Sequence, residues 1–244
     1  MPRFTPTGPT ELLLIRHAES RANVAASAAE ASGALEIEVE HRDPDCELSS
    51  TGEEQARALG DWLGQQRPPL AAWSSPYLRA TATARHALAT AGLDIPVTQD
   101  ERLRDRDLGI TDGFTPAGLL ARFPEEARRR AWLGNFYYRP PGGEAWTDLA
   151  LRVRSLLEHL DSVAPVGPVA LFCHDAIVLI IRYLCEGLSE RELLDISEVA
   201  PVANASLTRL ARVGDTWRLD LYNHVHHRGS RTRHDDRASE AGNP

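Results

Sequence analysis

Three short apolar runs dominate the chain: residues 11–16 (ELLLIR), 70–75 (LAAWSS) and 169–173 (VALFC). Each is too short for a core helix and lacks polar alternation, which is the pattern of a strand covered on both faces. Each then runs into polar residues and a stretch of helical periodicity. Strands that alternate with helices, both faces buried, predict an α/β fold: a mostly parallel sheet flanked by helices, with an antiparallel edge strand.

The connecting segments support that order. In residues 48–66, Thr51 with Glu54 reads as a capping box, and Ala56, Leu59, Trp62 and Leu63 share one helical face. Pro76 after Ser75 reads as the first residue of a helix running to about Leu88. Residues 96–100 (PVTQD) predict a third short strand. Thr147 is the expected cap of a helix whose Leu149, Val153, Leu156, Leu157 and Leu160 recur at core spacing. A helix over about 176–184 follows VALFC, Ser189 with Glu192 forms a second capping box, and residues 207–213 and 217–223 flank Gly214-Asp215 as a hairpin. One domain over 11–228 is expected between polar tails at 1–10 and 229–244. An Ala-rich stretch near 22–34 falls in the first of two long segments, 24–47 and 113–146. These fit the alternation poorly and read either as substrate-selecting lids or as helical decoration.

Composition removes several functions. At 244 residues the chain suits one large domain, and a net charge of −8 disfavours a nucleic-acid or anionic-membrane partner, each of which needs a basic face. No Lys occurs, so all 27 basic residues are Arg, and Schiff-base chemistry, a Walker loop and a kinase lysine are excluded. The longest apolar stretch, residues 176–181, falls far short of the roughly 20 residues of a membrane span, and the start lacks a signal-peptide layout, so a cytoplasmic location is expected. Cys46, Cys173 and Cys185 have no CxxC spacing and read as reduced, structural thiols.

In open α/β sheets, ligands bind at the carboxyl ends of the strands. There this chain places Arg16-His17, Ser74-Ser75 leading to Arg79, and His174-Asp175. Any one of these could be an ordinary salt-bridged loop. Two guanidinium forks, two imidazoles and helix N-termini converging on one edge point instead to a phosphate dianion.

These residues carry a family resemblance. LIRHAESRAN, with Arg16, His17, Glu19, Ser20 and Asn23, resembles the signature of the histidine phosphatase superfamily, the phosphoglycerate mutase-like fold. The likeness continues in order through LSSTGEEQA, SSPYLRATATA around Arg79, RLRDRDLGITDG, PPGGEAW and CHDA around His174, and so covers roughly residues 12–224. It implies a metal-independent phosphatase acting on a small phosphomonoester through phosphohistidine at His17. Arg16, Arg79, Asn23 and a protonated His174 would hold the phosphoryl oxygens, with Ser20 beside the substrate. The proton for the leaving group would come from Asp105, where relatives carry Glu; Glu101 is the alternative. Two further departures are Ala18 in place of Gly, and Asp175 after the second histidine.

In LGNFYYRPPGGEAW, Arg139 with Tyr137 and Tyr138 could close over the substrate above a bend at Gly142-Gly143, although packing explains the tyrosines equally well. His224, His226 and His227 lack the partners of a closed metal site, so no metal or cofactor is expected, and Asn223-His224 reads as a polar pair closing the fold. A phosphoglycerate-type mutase shares the first half-reaction and stays open, as does a non-catalytic phosphate binder. A homodimer could form through the apolar helix after His174 or the hairpin edge.

Overall fold

A computed structural model describes residues 8–225. It is an α/β fold with a six-stranded mixed sheet in the order β3-β2-β4-β1-β5-β6. The strands are β1 (Glu11–Arg16), β2 (Ala71–Ser74), β3 (Val97–Gln99), β4 (Pro168–Cys173), β5 (Leu207–Val213) and β6 (Thr216–His224). The first four run parallel, and β5 and β6 add an antiparallel edge that turns at Gly214-Asp215.

Period-two alternation in β1 sorts the core into two layers. Leu12 and Leu14 pack with α6 (Trp146–Val163) and α7 (Asp175–Glu186), whereas Leu13 and Ile15 pack with α2 (Ser50–Leu63) and α3 (Leu78–Thr90). Leu149, Val153, Leu156 and Leu160 are buried as their spacing predicts, with Leu157 packed at the edge of the same cluster. Connections from β1 and β4 carry helices to opposite faces, which opens a crevice between the carboxyl ends of these neighbouring strands.

Several helix starts differ from the sequence reading. Ser49, not Thr51, caps α2 by accepting from the Gly52 N–H at 2.9 Å. Docking decides this: the Ser49 N–H donates to the Glu19 carbonyl at 3.0 Å, and Gly52 lies so close to that carbonyl that a Cβ would sit 2.0 Å from it. α3 begins at Leu78 rather than Pro76, because the Ser75 hydroxyl accepts from the Tyr77 N–H and the chain turns once more before the helix. α6 begins at Trp146, with Asp148 rather than Thr147 holding the Ala145 N–H at 2.8 Å. The Ser189–Glu192 capping box of α8 (Glu190–Val199) forms as expected.

Part of the expected amino-terminal tail is packed: Gly8 and Pro9 are buried, and Thr10 donates to the Gly167 carbonyl at 3.0 Å. The expected tail at 229–244 lies outside the described residues. α7 is buried along 176–182, so its apolar face is spent within this fold and is not open to a second chain. Asn223, at φ +52°, accepts from the Ala203 N–H at 2.7 Å and donates to the Pro201 carbonyl at 2.8 Å, tying β6 to the loop before β5.

The two long segments pack on each other. The first begins as α1 (Arg21–Ser32), capped by Ser20 and closed by Gly33. Past it, Ile37 donates to the Gly113 carbonyl, Thr115 to the Ala34 carbonyl, and Arg122 pairs with Glu36 at 2.8 Å. The second segment supplies α4 (Pro116–Arg122) and α5 (Pro124–Leu133).

Candidate active site

Strand register brings the predicted residues together. Arg16 lies opposite Cys173 and Ser74 opposite Phe172, so His17, His174 and Ser75 each leave the sheet at the same edge. His17 and His174 rings meet edge to face, 5.1 Å between centroids, both buried. Arg79, from the first turn of α3, reaches the first of them and donates from Nε to His17 Nε2 at 3.2 Å. His174 Nε2 contacts the Ser75 hydroxyl at 2.9 Å, and its Nδ1 lies 3.1 Å from Asp105 Oδ2.

His17 has one defined tautomer. Its Nδ1 sits 2.8 Å from the Ala18 carbonyl, which can only accept, so Nδ1 carries the hydrogen and Nε2 keeps its lone pair. The backbone around the ring is equally fixed: Ala18 N–H donates to Thr83 Oγ1 at 3.0 Å, and the His17 carbonyl accepts from Ala205 N–H and Asn204 Nδ2, both at 3.1 Å. Ala205 holds φ +52°, an unfavourable conformation for alanine at the turn that meets His17. Arg16 is anchored on the Val202 carbonyl, and Asn23 Oδ1 accepts from Ser20 and Asn204.

Asp105 sits on a loop fixed by backbone contacts. Gly109, at φ +55°, lies against the turn at 140–143, where a Cβ would come within 2.2 Å of the Pro141 carbonyl. Arg152 of α6 clamps the same loop, donating to the carbonyls of Arg102, Arg104 and Asp105 at 2.6 to 3.0 Å while pairing with Glu144. The Asp105 carboxylate thereby reaches Arg79 Nη2 at 3.0 Å.

Electrostatics follow from this packing. Burial, then the charges of Arg79, His174 and Arg16, hold the His17 pKa well below its ordinary 6.5. Burial also lowers His174, against the pull of Asp105. Burial would raise the Asp105 carboxyl, but His174, Arg79 and His17 together hold it well below the carboxylate range. Tyr77, whose ring is 5.3 Å from that of His174, is pushed up to about 12 by burial and by Asp43 and Asp105.

A stability consequence follows. Both histidines are depressed in the folded protein, so below pH 6.5 the unfolded chain binds more protons and stability falls with pH. The slope is about 1.4 kcal/mol per pH unit for each, until the folded pKa is reached. Asp105 is also depressed, and adds a further loss below about pH 3.8. Urea unfolding between pH 8 and pH 5 should show the first decline, shallower in His17→Gln; a flat profile would contradict it.

The site opens into a cavity of about 530 Å³ lined by Arg16, His17, Ser20, Asn23, Arg79, Asp105 and Asp175. Both long segments contribute to the wall, the first through Ile37 and 41–44, the second through Gly113 and Phe114. Asn23 and Ser20 therefore lie where expected, although the Ser20 hydroxyl is engaged in capping α1.

Arg139 does not line the cavity: it is exposed and paired with Asp148, the nearer carboxylate. Tyr138 is buried and donates to Glu126, while Tyr137 is exposed and donates to Glu190; neither reaches the cavity. Glu101 is exposed and does not line it. Cys46 and Cys173 are buried and Cys185 is half-buried, all free.

Sequence reasoning missed Asp43, the hydroxyl contact of Ser75 to His174, Arg152 and Asn204. Arg152 left a trace, as an Arg on a helix beside core positions 149 and 153, and Ser75 stood among the polar residues at the strand ends.

His17, Asp105 and His174 present ligand atoms within 4.8 Å of one another. A cation there would face Arg79, which already donates to His17 and Asp105, so the guanidinium occupies the positive role. Of the carboxy-terminal histidines, His224 ends β6 beside Trp62, and His226 and His227 lie outside the described residues. No described helix is long and apolar enough to cross a membrane.

Comparison with known proteins identifies the family. A glucosyl-3-phosphoglycerate phosphatase of Mycobacterium tuberculosis is 34% identical over 195 residues, covering 73% of this chain and 84% of the relative. A 2,3-bisphosphoglycerate-dependent phosphoglycerate mutase of Methylobacterium radiotolerans is 29% identical over 189 residues, covering 76% and 83%. A 6-phosphofructo-2-kinase/fructose-2,6-bisphosphatase of Caenorhabditis elegans is 30% identical over 191 residues, 77% of this chain, which spans 37% of that longer protein. Among solved structures, a mycobacterial glucosyl-3-phosphoglycerate phosphatase with VO3 superposes with a TM-score of 0.71 at 30% identity, over 88% of this chain and 98% of the other. The family model for the histidine phosphatase superfamily (branch 1) matches residues 12–225, and the chain belongs to that superfamily.

Proposed function

We propose that this protein is a metal-independent phosphatase that hydrolyses phosphomonoesters through a phosphohistidine at His17. The observation that carries the reading is the locked tautomer: Nδ1–H on the Ala18 carbonyl leaves Nε2 as a buried, neutral nucleophile at the cavity floor. In the first step the Nε2 lone pair forms the N–P bond as the ester P–O bond breaks, and the departing oxygen takes a proton from Asp105. Water then attacks phosphorus, its proton returns to Asp105, the N–P bond breaks and Nε2 regains its lone pair.

Its partners hold the Asp105 carboxyl well below the carboxylate range, so it takes up a proton from solvent as substrate binds. A phosphate dianion draws Arg79 and His174 to itself and adds negative charge beside the carboxylate, raising both Asp105 and His174. The protonated His174 of the resemblance thus belongs to the substrate complex. Placement supports Asp105 over Glu101 as the acid, since Asp105 lines the cavity and touches both Arg79 and His174.

Asp43, Asp107, Asp112 and Asp175 share the cavity wall with Arg42 and Arg106, so the wall carries both signs and the choice between hydrolysis and mutase chemistry rests on the fate of the phosphoryl group.

Phosphate release from a panel of metabolite phosphomonoesters, with EDTA present, tests the reading. Release should persist in EDTA, and Asp105→Asn should lose about 10²- to 10⁴-fold on alkyl phosphates but far less on p-nitrophenyl phosphate, whose leaving group needs no proton. Activity abolished by EDTA, or phosphoryl transfer between phosphoglycerate carbons without release, would overturn it.

A further inference from the structure

Arg79 has five N–H donors on three nitrogens, and all three nitrogens are engaged. Nε donates to His17 Nε2 at 3.2 Å. Nη1 meets the Asp43 carbonyl at 2.6 Å and Asp43 Oδ1 at 2.9 Å. Nη2 meets Asp43 Oδ2 at 3.2 Å and Asp105 Oδ2 at 3.0 Å. Asp43 therefore takes two hydrogen bonds from Arg79 and adds the ion-pair contact of Oδ1, so its two carboxylate oxygens lie on the two terminal nitrogens that two phosphoryl oxygens would use.

Asp43 comes from a part of the chain distinct from the strand-end residues. It opens a short 3-10 turn, Asp43–Asp45, in the first long segment, and its side chain is 37% exposed, whereas that of Arg79 is 4% exposed. The turn is tied internally, with Arg42 paired to Asp45 at 2.6 Å and the Cys46 N–H on the Asp43 carbonyl. Asp43 is thus a half-exposed anion able to swing into water, seated on a buried cation that cannot.

Resting on the phosphatase reading above, we propose that Asp43 is a resident competitor for the phosphoryl group: substrate binds by displacing this carboxylate from Arg79, and Asp43 thereby sets the affinity of the site for phosphate. The first long segment then acts on substrate binding through one charged side chain as well as through the shape of the wall.

The test compares wild type with Asp43→Asn, Asp43→Glu and Asp45→Asn. Inorganic phosphate affinity is read by calorimetry, and KM and kcat are read on p-nitrophenyl phosphate. Asp43→Asn removes the charge at nearly constant shape and should bind phosphate about fivefold more tightly, with a matching fall in KM. Asp43→Glu keeps a carboxylate and should not show this gain. Asp45→Asn, which removes the same charge from the same turn but from a residue paired with Arg42, should stay near wild type. Unchanged or weaker phosphate binding in Asp43→Asn overturns the proposal, as does an equal gain in Asp45→Asn. A prop for Arg79 would instead show as raised KM with lowered kcat. If wild type binds phosphate and hydrolyses esters while Asp43→Asn gains nothing, only the competitor falls; if wild type does neither, the phosphatase reading falls with it.

Discussion

Replacing His17 with alanine is expected to lower phosphomonoester hydrolysis by about 10⁴-fold or more, because the proposed route has no other nitrogen that can take the phosphoryl group. His174 cannot substitute. Its Nε2 is held on the Ser75 hydroxyl and its Nδ1 faces Asp105, whereas His17 Nε2 faces Arg79 and the cavity. Nothing else in the fold should change greatly, since the His17 backbone is fixed by Cys173, Asn204 and Ala205 independently of the ring. Labelled substrate mixed with wild type and quenched in alkali should leave phosphate on the protein that acid then releases, as a phosphoramidate requires. His17→Ala should retain no label. Label surviving in that variant, or turnover within tenfold of wild type, would remove His17 as the nucleophile.

The strand ends were legible because burial on both faces leaves an unambiguous mark. ELLLIR becomes β1 residue for residue, and once β1 and β4 pair in parallel, the positions of His17 and His174 follow from register alone. Helix starts were less legible, because capping was decided by docking. Ser49 outcompetes Thr51 because the Glu19 loop meets α2 there, and Ser75 does not begin a helix because the chain turns again before Leu78. Neither contact is local in sequence.

The cavity wall was least legible. Asp43 lies 36 residues from Arg79 in a polar segment, where one carboxylate among many carries no periodic signal. Arg139 illustrates the converse. Its position beside Tyr137, Tyr138 and the bend at Gly142-Gly143 suggested a substrate contact, yet Asp148, nine residues on and at the first turn of α6, captures it. Charged residues in loops pair with whatever the fold brings nearest, so their spacing along the chain says little about their partners.

Arg79→Ala is expected to cost about 10³- to 10⁵-fold in kcat, the range for removing a guanidinium that stabilises a transferring phosphoryl group. Loss should fall on kcat more than KM, because charge spreads over the equatorial oxygens as the N–P bond forms and the fork meets them best at that point. Arg79→Lys keeps the charge but is expected to recover little. A single ammonium cannot serve His17 Nε2, Asp43 and Asp105 at once, and it lacks the planar pair of donors that matches two phosphoryl oxygens. Stability should move in the same direction, since Asp105 would lose its guanidinium partner and keep the imidazole of His174, and breaking such a pair costs about 3 to 5 kcal/mol. The Asp43 share of that cost should be small, because its carboxylate can turn to water. Pre-steady-state kinetics of the two variants, alongside urea unfolding, separates these effects. Arg79→Lys retaining wild-type kcat would mean that charge alone suffices, and the fork geometry at the centre of the proposed chemistry would have to be abandoned.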